Sequence, residues 1–357
     1  MDGKQVKTVE TSRNIEINRI LFHYDIFPLR LTDQGNMIKA ETSAGVFALK
    51  RKKMTEKQIG RLYDVYPLIR SLVIDSACPL PSKYGDLVVK WDENSYYLMP
   101  WFEETVPESD LRERYQRLFL KAGQLHRQTM QKEADASSLY GSAVQMLRAQ
   151  QSYWERFFNT AEHRVYPSPF EQIVLGYAPS ALGYLQRALV FFSQNVSKQR
   201  EGESGRVLRR ALCHGRLSPL HIMIENEKSF LINFEESKED FYILETAALF
   251  QQASVMLPPD GTEWDRLFRD YFSSCPASDE EASFLFHFLL CPRSLSHLIN
   301  QYEGKRENSE LWFTKRFIRL ARGHDQLIRE LEKYFDDQKQ QKEEQEKEEQ
   351  EKEEDKN

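Results

Sequence analysis

The spacing of apolar residues changes period twice along the chain, near position 30 and again near position 100. Ile15, Ile17, Ile20, Leu21 and Tyr24 fall at mixed spacings compatible with a short amphipathic helix over 14–26, ending before Pro28. Met37-Ile38-Lys39-Ala40 and Val46-Phe47-Ala48-Leu49-Lys50 are short apolar runs separated by Thr42, Ser43 and Gly45, which predicts two strands joined by a turn, with an earlier strand near 29–31. Thr55 then opens a helical stretch in which Ile59, Leu62, Tyr63, Tyr66 and Ile69 recur every three or four residues. Leu87-Val88-Val89-Lys90-Trp91 and Tyr96-Tyr97-Leu98-Met99, linked by the polar turn Asp92-Glu93-Asn94, predict two more strands.

Beyond Pro100-Trp101 the period becomes helical. Leu111, Tyr115, Leu118, Phe119, Ala122 and Leu125 share one face. Further helices are expected around Leu147, Trp154, Phe157 and Phe158, and from Tyr177 to Val196, before a polar loop at 199–205. One β interruption is expected in this half, a hairpin made of His221-Ile222-Met223-Ile224, a turn at 225–228, and Ser229-Phe230-Leu231-Ile232-Asn233. The stretch from Leu244 to Phe335 again reads as helix. The pattern divides the chain into a small sheet with helices over 1–101, a helical region over 102–337 that holds the hairpin, and a tail over 338–357. That tail has no apolar residue, so it is either a solvated helical extension or disordered, and it cannot build a core.

Composition narrows the class. Among 357 residues, 40% are hydrophobic and 29% charged, as in an ordinary globular chain rather than a disordered one. No apolar run reaches the roughly 20 residues a membrane span needs, and Glu10, Glu16 and Asp25 speak against a secretory leader, so synthesis in a cytoplasm is expected. The tail holds nine acids and five lysines and so supplies −4 of the net charge of −6. The body lacks the basic excess of a nucleic-acid binder. Cys78, Cys213, Cys275 and Cys291 are far apart and form no CxxC pair, so no zinc site or disulfide framework is signalled and buried thiols are expected.

The order of these elements is that of an α+β, two-lobed protein-kinase-like fold, with a small β-sheet N-lobe and a mainly helical C-lobe. His214-Gly215-Arg216-Leu217-Ser218-Pro219-Leu220-His221, followed by Leu231-Ile232-Asn233-Phe234-Glu235, resembles the catalytic loop and hairpin of aminoglycoside and choline phosphotransferases. There the pattern reads His-Gly-Asp-x-x-x-x-Asn, then Ile-Asp-Phe or Ile-Asp-Trp. The spacing matches and the chemistry does not. Phosphoryl transfer needs a carboxylate for the substrate hydroxyl and oxygen ligands for Mg²⁺. Arg216 stands at the carboxylate position, and a guanidinium is a permanently charged donor. His221 stands at the Asn position, where Mg²⁺ prefers oxygen to imidazole. Asn233 stands at the metal-binding Asp, with a carbonyl oxygen but no charge.

Lys50 resembles the phosphate-binding lysine of the small lobe, although it also opens the charge run Lys50-Arg51-Lys52-Lys53, which reads equally as a solvated face. Its acidic partner on the following helix would be Glu56 or Asp64. Gly35 and Gly45 are isolated and form no phosphate loop. Tyr96 to Trp101 resembles the strand that crosses between lobes, and Leu125-His126 resembles the end of the first large-lobe helix. In the resembled family, residues at the positions of His126 and His214 mostly tie backbone near the catalytic loop. Trp91, Trp101, Trp154, Trp264 and Trp312 are expected as core or lobe-interface residues.

The combination of Phe47-Ala48-Leu49-Lys50, Tyr97-Leu98-Met99-Pro100-Trp101, His214-Gly215-Arg216-Leu217-Ser218 and Ile232-Asn233-Phe234-Glu235 is similar to the CotS-type bacterial spore-coat proteins, nearest their YsxE and YutH branch. The resemblance covers roughly residues 15–335. It implies a kinase-like protein made in the mother cell of a sporulating bacterium and deposited in the spore coat, with other coat proteins as partners. Two readings follow. One is a non-catalytic pseudokinase with a structural or assembly role, no cofactor and no metal. The other is an ATP- and Mg²⁺-dependent small-molecule kinase in which Glu235 or Glu236 replaces the missing carboxylate.

Overall fold

Each change of period along the chain has a structural counterpart. The computed structural model describes residues 15–200, 206–304 and 308–354. The chain divides into two compact units, one of residues up to 110 with 214–238, the other of 111–213 with 239 onward.

In the first unit, helix α1 (15–22) precedes strands β1 (Arg30–Asp33), β2 (Met37–Thr42), β3 (Gly45–Lys52), β4 (Val89–Trp91) and β5 (Asn94–Pro100). They form one antiparallel sheet in the order β1-β2-β3-β5-β4. Side chains alternate between the faces of a strand. Ile38, Ala40, Leu49 and Leu98 therefore turn to one face, where they bury against Ile17, Ile20 and Leu21 of α1. Lys50, Lys52 and Tyr97 turn to the other, with Lys50 directly opposite Tyr97 in the β3–β5 register. Helix α2 (Glu56–Ser71) begins with a capping box, Thr55 and Gln58 each bonding the other's backbone N–H, and buries Ile59, Leu62, Val65, Tyr66 and Ile69.

The hairpin also belongs to this unit. Strands β8 (Ile222–Glu225) and β9 (Lys228–Leu231) pair with Glu225 opposite Lys228, around a turn in which Asn226 takes a left-handed φ of 55°. Leu231 is tied to the loop after α2 through Ala77 N–H to Leu231 O at 3.0 Å, and Ile224 to residue 105 through Thr105 N–H to Ile224 O at 2.8 Å.

The second unit contains helices α3 (Leu111–Gln128), α4 (Ser137–Glu162), α5 (Pro169–Arg200), α6 (Tyr242–Met256), α7 (Trp264–Phe272), α8 (Asp279–Leu289), α9 (Arg293–Gly304) and α10 (Glu310–Glu354). It also corrects the expectation of a single β interruption. Strands β6 (Glu133–Asp135), β7 (Val207–Cys213) and β10 (Lys238–Phe241) form a second sheet in the order β10-β7-β6. β7 escapes a periodicity reading because Leu208, Ala211, Leu212 and Cys213 are all buried, which leaves no clean alternation. Of the polar stretch at 199–205, residues 201–205 lie outside the described residues, and 199 and 200 end α5.

α10 is 45 residues long. Its first half buries Phe313, Phe317, Leu320, Leu327, Ile328 and Leu331, whereas every side chain from Asp336 to Lys347 is exposed. Trp154 and Trp264 are core residues, but Trp312 is 42% exposed, contrary to the expectation for it. All four cysteines are free, and all but Cys78 are buried. No helix of the described residues is long and apolar enough to cross a membrane.

A buried ion pair joins β7 to α8. Glu281, 1% exposed, accepts from Arg209 Nε at 3.0 Å, from Tyr242 Oη at 2.7 Å and from Ser278 N–H at 2.9 Å. Burial pushes its carboxyl up, but the hydrogen bonds from Arg209, Ser278 and Tyr242 outweigh burial and hold it below the ordinary glutamate value. A carboxyl depressed on folding contributes stability that is present above its unfolded pKa and lost as pH falls through the folded one. Glu281→Gln, which leaves Arg209 unmatched, should cost about 3 kcal/mol at pH 7 in urea denaturation. The gap between parent and variant should close as the pH falls below about 4.

Candidate functional site

The β3 lysines converge on one buried carboxylate. Glu235 sits in the 3₁₀ turn Phe234–Glu236 that follows the hairpin and is 1% exposed. Its Oε1 accepts from the Tyr97 hydroxyl at 2.5 Å and lies 3.6 Å from the Nζ of both Lys50 and Lys52. Lys50 also donates to Asn233 Oδ1. Burial pushes the Glu235 carboxyl up, but Lys50, the Tyr97 hydroxyl and Lys52 together hold it below the usual glutamate value. Burial pulls Lys50 below the ordinary lysine value, and Lys52 adds to that while Glu235 opposes it.

Glu236 is held as well. Gln58 of α2 donates to its Oε1 at 2.5 Å, and Arg61 Nη1 stands 3.9 Å from Oε2. The acid expected on α2 as the partner of Lys50 is therefore corrected. Glu56 pairs with Lys90 at the surface, Asp64 is exposed, and the carboxylate beside Lys50 comes from Glu235. The Asn233-Phe234-Glu235 motif placed that residue in sequence, but nothing in the local pattern linked it to β3 or to Tyr97.

The turn that carries Arg216 is fixed from beneath. His214 is fully buried. Its Nε2–H donates to Ile232 O at 2.8 Å, while Nδ1 accepts from Arg216 N–H at 3.3 Å. Gly215 has φ +83°, and a Cβ there would lie 2.2 Å from Glu236 O, so the loop passes directly against the 3₁₀ turn. His221 Nδ1 donates to Arg216 O. Burial holds this imidazole below the ordinary histidine value, against the Arg216 carbonyl and helped by His214, Arg216 and Lys50. Its ring stacks on His214 with centroids 5.5 Å apart. Asn233 adopts the left-handed conformation, φ 71° and ψ 56°, which asparagine tolerates better than most residues.

Lys50, Arg216, His221 and Asn233 thus line one cavity of about 190 Å³, together with Lys52, Glu235 and Glu236. A larger hollow of about 790 Å³ runs along α7, α8 and α10 and contains none of the motif residues. His126 lies in the second unit. It bonds Tyr271 and Glu245 rather than backbone near the loop, which corrects that expectation.

The fold family implies Mg²⁺, and the residues present do not fit it. A hard dication needs free oxygen ligands, but Asn233 Oδ1 already accepts from Lys50 and both carboxylates are engaged by cations and amide or hydroxyl donors. Arg216 and His221 add a fixed positive charge and an imidazole where oxygen would be required.

The sequence matches no protein-family model and no curated protein. Solved structures do match. An aminoglycoside phosphotransferase from Alicyclobacillus acidocaldarius superposes with a TM-score of 0.67 at 15% identity, over 88% of this chain and 94% of that one. Spectinomycin phosphotransferase in its AMP-bound complex gives 0.51 at 12% identity, over 89% and 98%. The chain has the aminoglycoside-phosphotransferase fold.

Because Gly215 combines a left-handed φ with contact against Glu236 O, Gly215→Ala should cost at least about 2 kcal/mol. Urea denaturation followed by tryptophan fluorescence would measure it.

Proposed function

We propose that this chain is a non-catalytic member of the kinase-like fold that serves a structural or assembly role in a bacterial spore coat. One observation carries the first half. At the position of the catalytic carboxylate there is a guanidinium, and both nearby carboxylates are already committed, Glu235 to Lys50, Lys52 and Tyr97 and Glu236 to Gln58 and Arg61. General-base work requires a carboxylate that can reach a substrate hydroxyl. Recruiting Glu235 would mean pulling a buried charge away from two lysines, at a cost of several kcal/mol.

The spore-coat half rests on the similarity of the four short motifs to CotS-type proteins. Deposition in the coat and association with other coat proteins belong to this proposal. The rival reading, an ATP-dependent small-molecule kinase, draws on the activity named for the solved neighbours, a likeness at 15% identity or below.

Thermal unfolding with ATP, with and without Mg²⁺, should show no Mg²⁺-dependent rise in Tm, since a ligand that binds the folded state must raise its stability. Phosphotransfer to aminoglycosides or choline should be absent. Turnover that Glu235→Gln abolishes would establish the kinase instead. A fluorescent fusion followed through sporulation should accumulate at the forespore surface, and uniform mother-cell fluorescence would remove the coat assignment.

A further inference from the structure

The second unit holds a buried cluster that the kinase-like reading leaves unused. His126 of α3, Cys213 at the end of β7 and Glu245 of α6 bring one nitrogen, one sulfur and one carboxylate oxygen within 4.8 Å of one another. His126 is fully buried and Cys213 is 3% exposed. Glu245 is 9% exposed at its side chain.

The contacts of His126 place Nδ1 against Tyr271 and Nε2 toward the cluster. Thr246 donates its one hydroxyl proton to the Tyr242 carbonyl at 3.0 Å. Tyr271 Oη lies 2.6 Å from Thr246 Oγ1 and 2.7 Å from His126 Nδ1, so it can accept from Nδ1–H while donating to Thr246. Nε2 then faces Glu245 Oε2, 2.9 Å away. A single proton between Nε2 and Oε2 satisfies that contact in the metal-free chain, and a metal ion would take the proton's place.

The geometry points to a zinc site formed by His126 Nε2, Cys213 Sγ and Glu245 Oε2. Three features suit a metal ion at this position. A histidine ligand normally donates its other N–H to an ordered acceptor, the role Tyr271 fills. A nitrogen, sulfur and oxygen set suits Zn²⁺ better than harder cations. The charges also balance. On binding, the Cys213 S–H bond breaks, its proton leaves to solvent, and thiolate plus carboxylate neutralise the dication, which a buried site demands. The Nε2 to Oε2 separation needs to open only to about 3.3 Å for bonds of zinc length. The Asp240 carbonyl, 3.8 Å from Sγ, can complete a fourth position.

The test uses the full chain without a polyhistidine tag. Elemental analysis after purification in chelator-free buffer should find roughly one zinc per chain. Replacement by Co²⁺ should produce a thiolate-to-cobalt absorption band in the near ultraviolet, and Cys213→Ser should abolish it while the far-ultraviolet circular dichroism stays unchanged. Cobalt on surface histidines gives no such band, so adventitious binding is told apart. The parent-protein spectrum needs no variant to fold. Less than about a tenth of an equivalent of zinc, with no cobalt band in the folded parent, would overturn the site and leave a hydrogen-bonded histidine–glutamate pair in its place.

Discussion

A carboxylate inside a protein has to be met by positive charge and hydrogen-bond donors, because its hydration is worth far more than the packing that replaces it. Glu235 is met from two strands, by Lys50 and Lys52 on β3 and by Tyr97 on β5. The same 3₁₀ turn presents Glu236 to α2, where Gln58 and Arg61 receive it. Two consecutive acids thereby connect the sheet, the helix and the hairpin; for the buried one, Glu235, stripping away its cations typically costs about 3 to 5 kcal/mol. Lys50 and Lys52 thereby neutralise an internal charge.

The loop from His214 to Arg216 is held by backbone contacts rather than by the side chain at position 216. His214 and Gly215 act on the backbone, one by bonding Ile232 O and Arg216 N–H, the other by allowing contact with Glu236 O. Their roles are indifferent to whether residue 216 carries an acid. Arg216 is exposed, so a guanidinium is accommodated there without disturbing the turn.

Much of the first unit was legible in sequence because its determinants are local. The β2–β3 runs, the Thr55 to Gln58 capping box and the polar turn of the β8–β9 hairpin each lie within a few residues of what they specify. The grouping of Lys50, Arg216, His221 and Asn233 around one cavity followed from motif order. What escaped was non-local or unpatterned. β6 has three residues, too few for a period, and β7 is stabilised by partners such as Glu281, 72 positions away in sequence. The acid beside Lys50 lies 185 positions away, not on the next helix, and only the folded chain reveals it. The His126, Cys213 and Glu245 cluster has the same character, with each ligand on a different element.

The long C-terminal helix has a consequence for how the protein melts. Packing holds α10 up to about Tyr334, but from Asp336 to Lys347 its side chains are exposed. That part relies on intrinsic propensity and weak contacts such as Lys339 with Glu343 at 4.0 Å. A solvated helix of under twenty residues is near balance with coil in water, and its charge pairs weaken as salt is added. Helicity of the extension will therefore decline gradually with temperature while the aromatic core still holds. Far-ultraviolet and tryptophan signals will trace different curves, and a two-state analysis of the former will misstate the cooperativity of the folded body.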